Sequence, residues 1–307
     1  GGPAPSTDGE VYTAAGLMTM NADRILETGK RIRLGIWGLG EGLFIYFQPL
    51  NLQRLGAEPT AIGGILGAAG LAMALAHIPA GYISDRIGAR PLMWAAWVLG
   101  FLATGIMAFS EDLAGFVIGL LLYNFTAFVS SPMSSYVSSH RGKMSVGRAL
   151  TLTSGFYSVG MIAGPQIGGL IGNQLGLSMV YKIAFAIFSV SVLVILFIRP
   201  NSLEKEQHEH EPNASIKRNR LFLMLLPLLA LITFVNFMPQ TFSPNYLQNQ
   251  QNLDLAAIGG LGSLGSLSNA VFMLALGNLK PAFGLLLGQA LVGCFTLLLL
   301  FGNDLIW

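Results

Sequence analysis

The sequence carries very little charge. Only 10% of its 307 residues are Asp, Glu, Lys or Arg, whereas 53% are hydrophobic, and soluble domains carry about 25% charged residues. The single cysteine, Cys294, lies inside an apolar run, which excludes an intramolecular disulfide and a cysteine-based metal site. Apolar runs of roughly 18 residues or more are typical of membrane-spanning helices. The composition therefore predicts an all-α polytopic membrane protein.

Apolar stretches separated by short polar connections predict nine membrane spans. The spans are expected at roughly 33–50, 61–83, 92–109, 114–136, 148–172, 178–198, 221–246, 257–279 and 282–301. The one long connection, residues 199–220, is charged and has no apolar face, so we expect a linker there. The expected organisation is an N-terminal segment (1–30), a six-helix half (31–199), a linker (200–219) and three helices of a second half (220–307).

The distribution of positive charge predicts the orientation in the membrane. If the N-terminus is placed inside, fifteen of the seventeen Lys and Arg residues fall on that side, leaving Arg54 and Lys182 outside. Positive charge resists translocation, so this asymmetry identifies the cytoplasmic side. We expect an integral protein of the plasma (inner) membrane, with the N-terminus and the linker in the cytoplasm.

The sequence contains an internal repeat. The segments FQPLNLQ (Phe47–Gln53) and FSPNYLQ (Phe242–Gln248) share Phe-x-Pro-x-x-Leu-Gln, and each is followed at a similar distance by Ala-Ile-Gly-Gly. Six predicted spans separate the copies, so both have the same orientation in the membrane. Two parallel six-helix repeats are one architecture of secondary transporters. The alternative is chance similarity between glycine-rich helices.

The stretch GYISDRIGAR, Gly81–Arg90, connects predicted spans 2 and 3 on the cytoplasmic side. It resembles the signature loop of the major facilitator superfamily: glycine, aspartate four residues on, a basic residue, then glycine and further basic residues. This resemblance assigns Gly81, Asp85, Arg86, Gly88 and Arg90 to a gating loop, with Ala89 replacing one basic residue of the family pattern. It implies a fold of two six-helix halves, and hence a C-terminally incomplete copy here.

Span 5 carries GMIAGPQIGG, which resembles the family's glycine-proline motif in the fifth helix, often associated with proton-exchanging exporters. Glycines at this spacing allow close helix approach, and a proline softens the span. The motif residues are Gly160, Gly164, Pro165, Gly168 and Gly169. The alternative is a packing seam with no bearing on the direction of transport.

Glu41 is the only ionisable side chain near the middle of span 1. Placing a charged side chain at the centre of a membrane costs about 2.5–3.5 kcal/mol on insertion scales, so Glu41 should face a cavity or a partner. Helical spacing places Trp37, Phe44 and Gln48 on the same stripe. We expect this stripe to bind a proton or a cationic substrate. The alternative is an acid that only joins helices by hydrogen bonding.

Other polar side chains in the spans are expected to line a path through the protein, because the family places helices 1, 2, 4, 5, 7 and 8 around its cavity. The alternative for each is an ordinary hydrogen bond between helices. These residues are Tyr123, Asn124, Tyr157, Asn236 and Gln240. The fourth span lacks the arginine that many proton-coupled exporters of the family carry, so Glu41 is the expected proton site.

Together these features predict a secondary transporter that works by alternating access, with proton-coupled efflux of drug-like amphipathic compounds as the preferred function. Uptake of a small nutrient is the alternative. An enzyme is disfavoured because HExxH, GxSxG and paired intramembrane aspartates do not occur, and no channel filter sequence is visible. The expected partners are the lipid bilayer and a small-molecule substrate, with no cofactor, no nucleic acid and a monomeric state.

Overall fold

The computed structural model describes residues 35–139, 145–196, 241–276 and 281–301, and every regular element in these ranges is helical. The helices are α1 (Gly35–Ile45), α2 (Gln48–Arg54), α3 (Pro59–Ile87), α4 (Ala89–Phe109), α5 (Leu113–Phe125), α6 (Ser130–Ser139), α7 (Val146–Leu175), α8 (Leu177–Leu196), α9 (241–249), α10 (Leu255–Leu276) and α11 (Pro281–Phe301). The all-α fold class expected from the sequence is confirmed.

Four helical stretches are long and apolar enough to cross a membrane: Pro59–Ser84, Ala89–Phe109, Leu113–Ser138 and Leu255–Phe272. α7 has 30 residues and so extends about 45 Å, more than the roughly 30 Å of a hydrocarbon core. The total of nine spans stays a prediction, because most of the seventh expected span and the linker lie outside the described residues.

The first expected span is not one continuous helix. α1 ends at Ile45, a turn follows at Tyr46 and Phe47, and α2 begins at Gln48. Pro49 occupies the first turn of α2, where a missing N–H leaves no helical hydrogen bond unmade. The span expected over roughly 33–50 therefore contains a turn, after which the helix restarts at the proline.

The fourth expected span is also interrupted. α5 ends at Phe125, and a 3₁₀ turn (Thr126–Val129) leads into α6. Two side chains at this point bond to backbone carbonyls of α5: Thr126 Oγ1 donates to Tyr123 O at 2.6 Å, and Asn124 Nδ2 donates to Leu120 O at 2.9 Å. Such local bonds compete with the regular helical pattern, which accounts for the tightened turn.

The expected gating loop is helical over most of its length. Gly81, Asp85 and Arg86 belong to the last turns of α3, and Arg90 belongs to the first turn of α4. Gly88 alone separates the helices, with φ of 86°, a backbone conformation that glycine adopts without a steric penalty. The connection is therefore a one-residue corner between two rigid helices, not a loop.

Aromatic rings form the core of the first half. The Trp37 ring lies 4.4 Å from Phe188 and 4.8 Å from Trp97, and the Phe44 ring lies 5.5 Å from Tyr181, as measured between centroids. Trp37 is 8% exposed and Phe44 is fully buried. Two members of the expected Glu41 stripe thus pack against α4 and α8 inside the half.

Ser191 anchors this aromatic core by accepting a hydrogen bond from Trp97 Nε1 at 3.1 Å. Ser191→Ala leaves the buried indole N–H without that partner, and we expect a loss of about 1–3 kcal/mol in unfolding free energy. Ser189→Ala is the matched control, because Ser189 bonds only to Phe185 O in its own helix at 2.8 Å. Thermal unfolding in detergent would measure both variants, and equal losses would contradict the anchoring role.

A seam of glycines joins α1 to α7. A methyl group added to Gly164 would lie 2.6 Å from the Cα of Gly42, and one added to Gly168 would overlap the carbonyl oxygen of Leu43. Backbone atoms of the two helices are therefore in direct contact. This contact, available only to residues without side chains, places the middle of α1 against the middle of α7 and positions the side chains considered next.

Candidate functional site

Glu41 and Tyr157 meet at the α1–α7 contact. Tyr157 donates its hydroxyl hydrogen bond to Oε2 of Glu41 at 2.9 Å. The glycine seam sets this distance, because Gly38 of α1 lies directly against the backbone of Tyr157. A phenol donor stabilises a carboxylate acceptor, so the structure supplies the partner that Glu41 requires inside a membrane.

Tyr123 of α5 faces the same carboxyl group. Its ring is held 5.1 Å from Phe44 and 5.9 Å from Phe188, and the residue is 5% exposed. Tyr123 therefore places a second phenol beside the Glu41 carboxyl group.

The other residues expected around Glu41 differ in where the structure places them. Gln48 is 7% exposed and lies beyond the break between α1 and α2, with no partner for its Nε2 among the described residues. Asn124 lies beside Tyr123 in α5 but bonds to its own helix. Asn236 and Gln240 lie outside the described residues. The structure therefore brings Glu41, Tyr157, Tyr123 and Trp37 together, and the binding role of each stays a prediction.

The two arginines of the α3–α4 corner pack on aromatic rings of their own helices. The guanidinium of Arg86 lies 4.3 Å from the centre of the Tyr82 ring, and that of Arg90 lies 5.0 Å from the centre of the Trp94 ring. Cation–π contacts of this kind contribute about 0.5–1 kcal/mol at exposed sites. The gating role expected for Gly81, Asp85, Arg86, Gly88 and Arg90 stays a prediction.

The glycine-proline motif of α7 has two packing faces. Gly160, Gly164 and Gly168 contact α1, whereas Gly169 contacts α10 of the second half. A methyl group on Gly169 would lie 3.1 Å from the Cα of Gly259, and one on Gly259 would overlap the carbonyl oxygen of Pro165. The α7 helix continues through Pro165. The motif thus joins helices within the first half and also joins the two halves.

Polar side chains extend this contact between the halves. The backbone N–H of Gln166 donates to Ser263 Oγ at 2.9 Å, and the hydroxyls of Tyr46 and Ser266 are 3.3 Å apart. Near the end of the helices, Asn173 donates to Oδ2 of Asp254 at 3.0 Å. α7 and α10 are therefore joined by hydrogen bonds as well as by glycine contacts.

The two copies of the sequence repeat also contact each other. Gln53 of the first copy accepts from Asn245 at 2.6 Å and from Asn249 at 3.1 Å, and it donates to Asn249 at 3.2 Å. We call these three side chains the amide clasp. The sequence revealed the repeat but not the amide clasp. Two parallel repeats of this kind are related by an approximate two-fold axis, and equivalent segments are expected to meet near such an axis.

All these contacts between the halves lie in the half of the bundle that contains the α2–α3 connection. The amide clasp and the Asn173–Asp254 pair lie at the helix ends themselves, where α7 terminates and α10 begins. The α3–α4 corner at Gly88 lies at the opposite end. The described parts of the two halves thus contact each other at the end that the charge distribution predicts to lie outside the cell.

No group of three or more His, Cys, Asp or Glu side chains is placed to hold a metal ion within the part of the chain that the structure describes. The groups that the structure brings to the Glu41 site are one carboxyl group and two phenols. The carboxyl group can bind and release a proton, and the phenols can donate to the charged form or accept from the neutral form.

Residues 35–307 match the family model of the Major Facilitator Superfamily. The chain is 28% identical over 222 residues to the multi-drug resistance efflux pump PmrA of Streptococcus pneumoniae, covering 67% of this chain and 53% of PmrA. It is 24% identical over 258 residues to the class B tetracycline resistance protein of Escherichia coli, covering 80% of this chain and 64% of that protein.

A solved structure with the same fold is the crystal structure of the nucleoside transporter NupG, with a TM-score of 0.65 and 14% sequence identity. The match covers 82% of this chain and 67% of NupG. At this identity the similarity establishes the fold alone. The chain spans about half the length of the curated relatives that it matches, 53% in the case of PmrA.

Proposed function

Because this chain belongs to the Major Facilitator Superfamily, we propose that it acts as a secondary transporter that exchanges protons for small amphipathic compounds and exports them. The observation that carries the proton exchange is the carboxyl group of Glu41, held at 2.9 Å by Tyr157 within the helical bundle. The apolar helices and the family make the chain an integral membrane protein.

The direction of transport is supported by the relatives. The similarity to PmrA and to the class B tetracycline resistance protein extends over 67% and 80% of this chain, and both are named for resistance to drugs. The glycine-proline motif of α7 agrees with an exporter. Drug-like compounds with an apolar body suit a path between apolar helices that carry few charges.

The proposed transport cycle starts from the state in which the predicted outer end of the bundle is closed. The amide clasp and the α7–α10 contact hold the two halves together at the predicted outer end, and in the proposed cycle this state takes up substrate from the cytoplasm. Rocking of the halves would break these contacts and open the outer end. A proton that enters from outside would bind Glu41, and its release to the cytoplasm would accompany export.

The test uses the protein expressed from its complete native reading frame in inside-out vesicles with an acidic interior. Candidate amphipathic compounds are added, and the pH gradient is followed by fluorescence quenching. We expect the native protein to dissipate the gradient when a substrate is present, and we expect Glu41→Gln to reduce this proton flux at least tenfold, because an amide cannot take up or release the proton.

Two controls separate the possible outcomes. Glu58→Gln, at an exposed position just before α3, removes a carboxylate outside the bundle and should leave the flux unchanged. A gradient collapse that persists in Glu41→Gln would contradict the proton role of this residue. If correctly inserted protein shows no collapse with any compound tested, export of those compounds is refuted and uptake of a small nutrient becomes the leading function.

A further inference from the structure

We propose that Ser263 of α10 is a positioning residue that holds the two halves closed by accepting a hydrogen bond from the backbone of α7. The donor is the N–H of Gln166, the residue that follows Pro165. Donor and acceptor belong to different halves, so separation of the halves breaks the bond, which therefore stabilises only the closed state. This inference rests on the rocking of the halves in the proposed function and adds a residue that holds its starting state.

The proline of α7 creates the need for this acceptor. Pro165 lies inside α7, and a proline ring pushes against the carbonyl group four residues earlier, which weakens the helical hydrogen bonds beside it. In membrane spans, backbone groups beside a proline are satisfied by neighbouring helices and by Ser or Thr side chains. The Gln166 N–H donates to Ser263 Oγ at 2.9 Å, which is a bond of this kind.

Glycines of α10 bring the serine to this position. A methyl group added to Gly259 would overlap the carbonyl oxygen of Pro165, and one added to Gly262 would lie 3.2 Å from the Cβ of Pro165. Gly259 and Ser263 are four residues apart and therefore lie on the same face of α10. The short Ser263 side chain reaches the α7 backbone because the glycines before it allow direct contact between the helices.

The surroundings of this bond differ from those of the amide clasp. Ser263 lies about 12 Å from the start of α10, inside the apolar stretch Leu255–Phe272. Gln53 and Asn249 of the clasp are exposed, and exposed amides exchange partners with water at little net cost. The Gln166 N–H lies among apolar helices, where an unpaired backbone group is costly. Loss of the serine bond therefore opposes opening more than loss of one clasp bond.

The first test follows the Gln166 amide directly and needs no substrate. Hydrogen exchange at this amide is measured by mass spectrometry on the purified protein, expressed from its complete native reading frame. Exchange should be about threefold to tenfold faster in Ser263→Ala, as expected for the loss of one hydrogen bond between membrane helices. If Ser263→Ala yields no folded protein, Ser263→Cys replaces it with the same expected direction, because a thiol is a weak acceptor of similar size.

Ser266→Ala is the matched control for this measurement. Ser266 lies three residues further along α10, and its hydroxyl is 3.3 Å from the hydroxyl of Tyr46. This variant removes a different polar contact between the same two halves and leaves the Gln166 N–H its acceptor. Exchange at Gln166 should therefore stay at the native rate. Equal acceleration in the two variants would show a general loosening of α10 and would overturn the specific role of Ser263.

The second test measures how the halves are distributed between closed and open states. Spin labels are attached at Glu111→Cys in the first half and Gln250→Cys in the second, with Cys294 replaced by serine. Both positions are exposed at the predicted outer end. Double electron–electron resonance reports the distance between them, and Ser263→Ala should raise the ratio of open to closed protein about threefold to tenfold.

Replacement of the proline provides the decisive comparison. In a Pro165→Ala background the helix becomes regular, and the Gln166 N–H regains the carbonyl group of Ile162 as its full partner. Addition of Ser263→Ala should then change the ratio of open to closed protein by less than about twofold. A serine that serves only to pack the helices would have the same effect with and without the proline, and that result would overturn the inference.

The outcomes also separate this inference from the proposed function. If Ser263→Ala changes neither the exchange at Gln166 nor the distances, the role of Ser263 is refuted while export stands. Faster exchange with unchanged distances shows a bond that does not hold the halves together, and this result also overturns the proposal. The expected changes in a protein that transports no test compound support the role of Ser263 and count against export.

Discussion

Replacement of Gly168 by alanine is expected to destabilise the first half strongly. The added methyl group would overlap the carbonyl oxygen of Leu43 and would lie 2.9 Å from its carbonyl carbon. These are backbone atoms of a helix, and Leu43 is 1% exposed, so neither helix can move aside without breaking the aromatic core behind α1. Overpacking of a core costs about 1–3 kcal/mol and occasionally more, and we expect a loss of at least 3 kcal/mol here.

Gly155→Ala is the matched control, because it lies on the same helix and a methyl group added there would meet no described atom beyond its own turns of helix within 4 Å. Since alanine favours helices over glycine, this variant should be neutral or should gain about 0.5–1 kcal/mol. Yield of monodisperse protein and thermal unfolding in detergent are the measurements. Equal stability of the two variants would show that α1 and α7 lie farther apart than the structure places them.

A covalent link across the amide clasp is expected to stop transport almost completely. Gln53 and Asn249 belong to different halves and are joined by side-chain hydrogen bonds of 3.1 and 3.2 Å. If the halves separate at this end in each cycle, a short thiol-reactive cross-linker between Gln53→Cys and Asn249→Cys should hold them in the closed state. Transport should fall at least tenfold, in proportion to the linked fraction, and should return when a reducible linker is cleaved.

The exposed native cysteine, Cys294, must first be replaced by serine so that the linker reacts only at the clasp. Arg54→Cys paired with Asn249→Cys is the matched control, because Arg54 is the next residue but directs its side chain to Asn51 at 2.9 Å. This pair should cross-link poorly and transport normally. Normal transport by fully linked Gln53→Cys/Asn249→Cys protein would exclude the clasp as a gate.

The amide clasp is formed by segments from the two parts of the sequence repeat. The first copy supplies Gln53 from α2, and the second supplies Asn245 and Asn249 from α9. Side-chain amides exchange hydrogen bonds with water at little net cost, so a clasp of this kind can open and close repeatedly. A buried ion pair would be harder to separate, because each charge would have to be solvated again.

Several conclusions followed from the sequence alone. Low charge and long apolar runs determined the all-α membrane class, because apolar helices are the form in which such runs satisfy their backbone in lipid. The GYISDRIGAR and GPQIGG motifs indicated the family, which the match over residues 35–307 confirms. Glu41 stood out because an isolated carboxyl group inside a membrane needs a partner.

Other features depended on distances between residues far apart in the chain. Helical spacing placed Trp37 and Glu41 on one stripe, but it could not show that Trp37 packs into a core with Phe188 while Glu41 turns to Tyr157. The spacing of residues within one helix shows only in which direction around the helix axis each side chain points. The neighbouring helix in each direction is determined by packing.

The sequence by itself determined the all-α membrane class, the family and which acid is exceptional, because these properties reside in local composition and short motifs. Only the tertiary structure decided that Gly164 and Gly168 bring α1 against α7, that Gly169 joins α7 to α10, and that the repeat copies meet at the amide clasp. The physical reason is that a glycine permits close approach from any side, and only the packed helices decide which neighbour takes the place of the missing side chain.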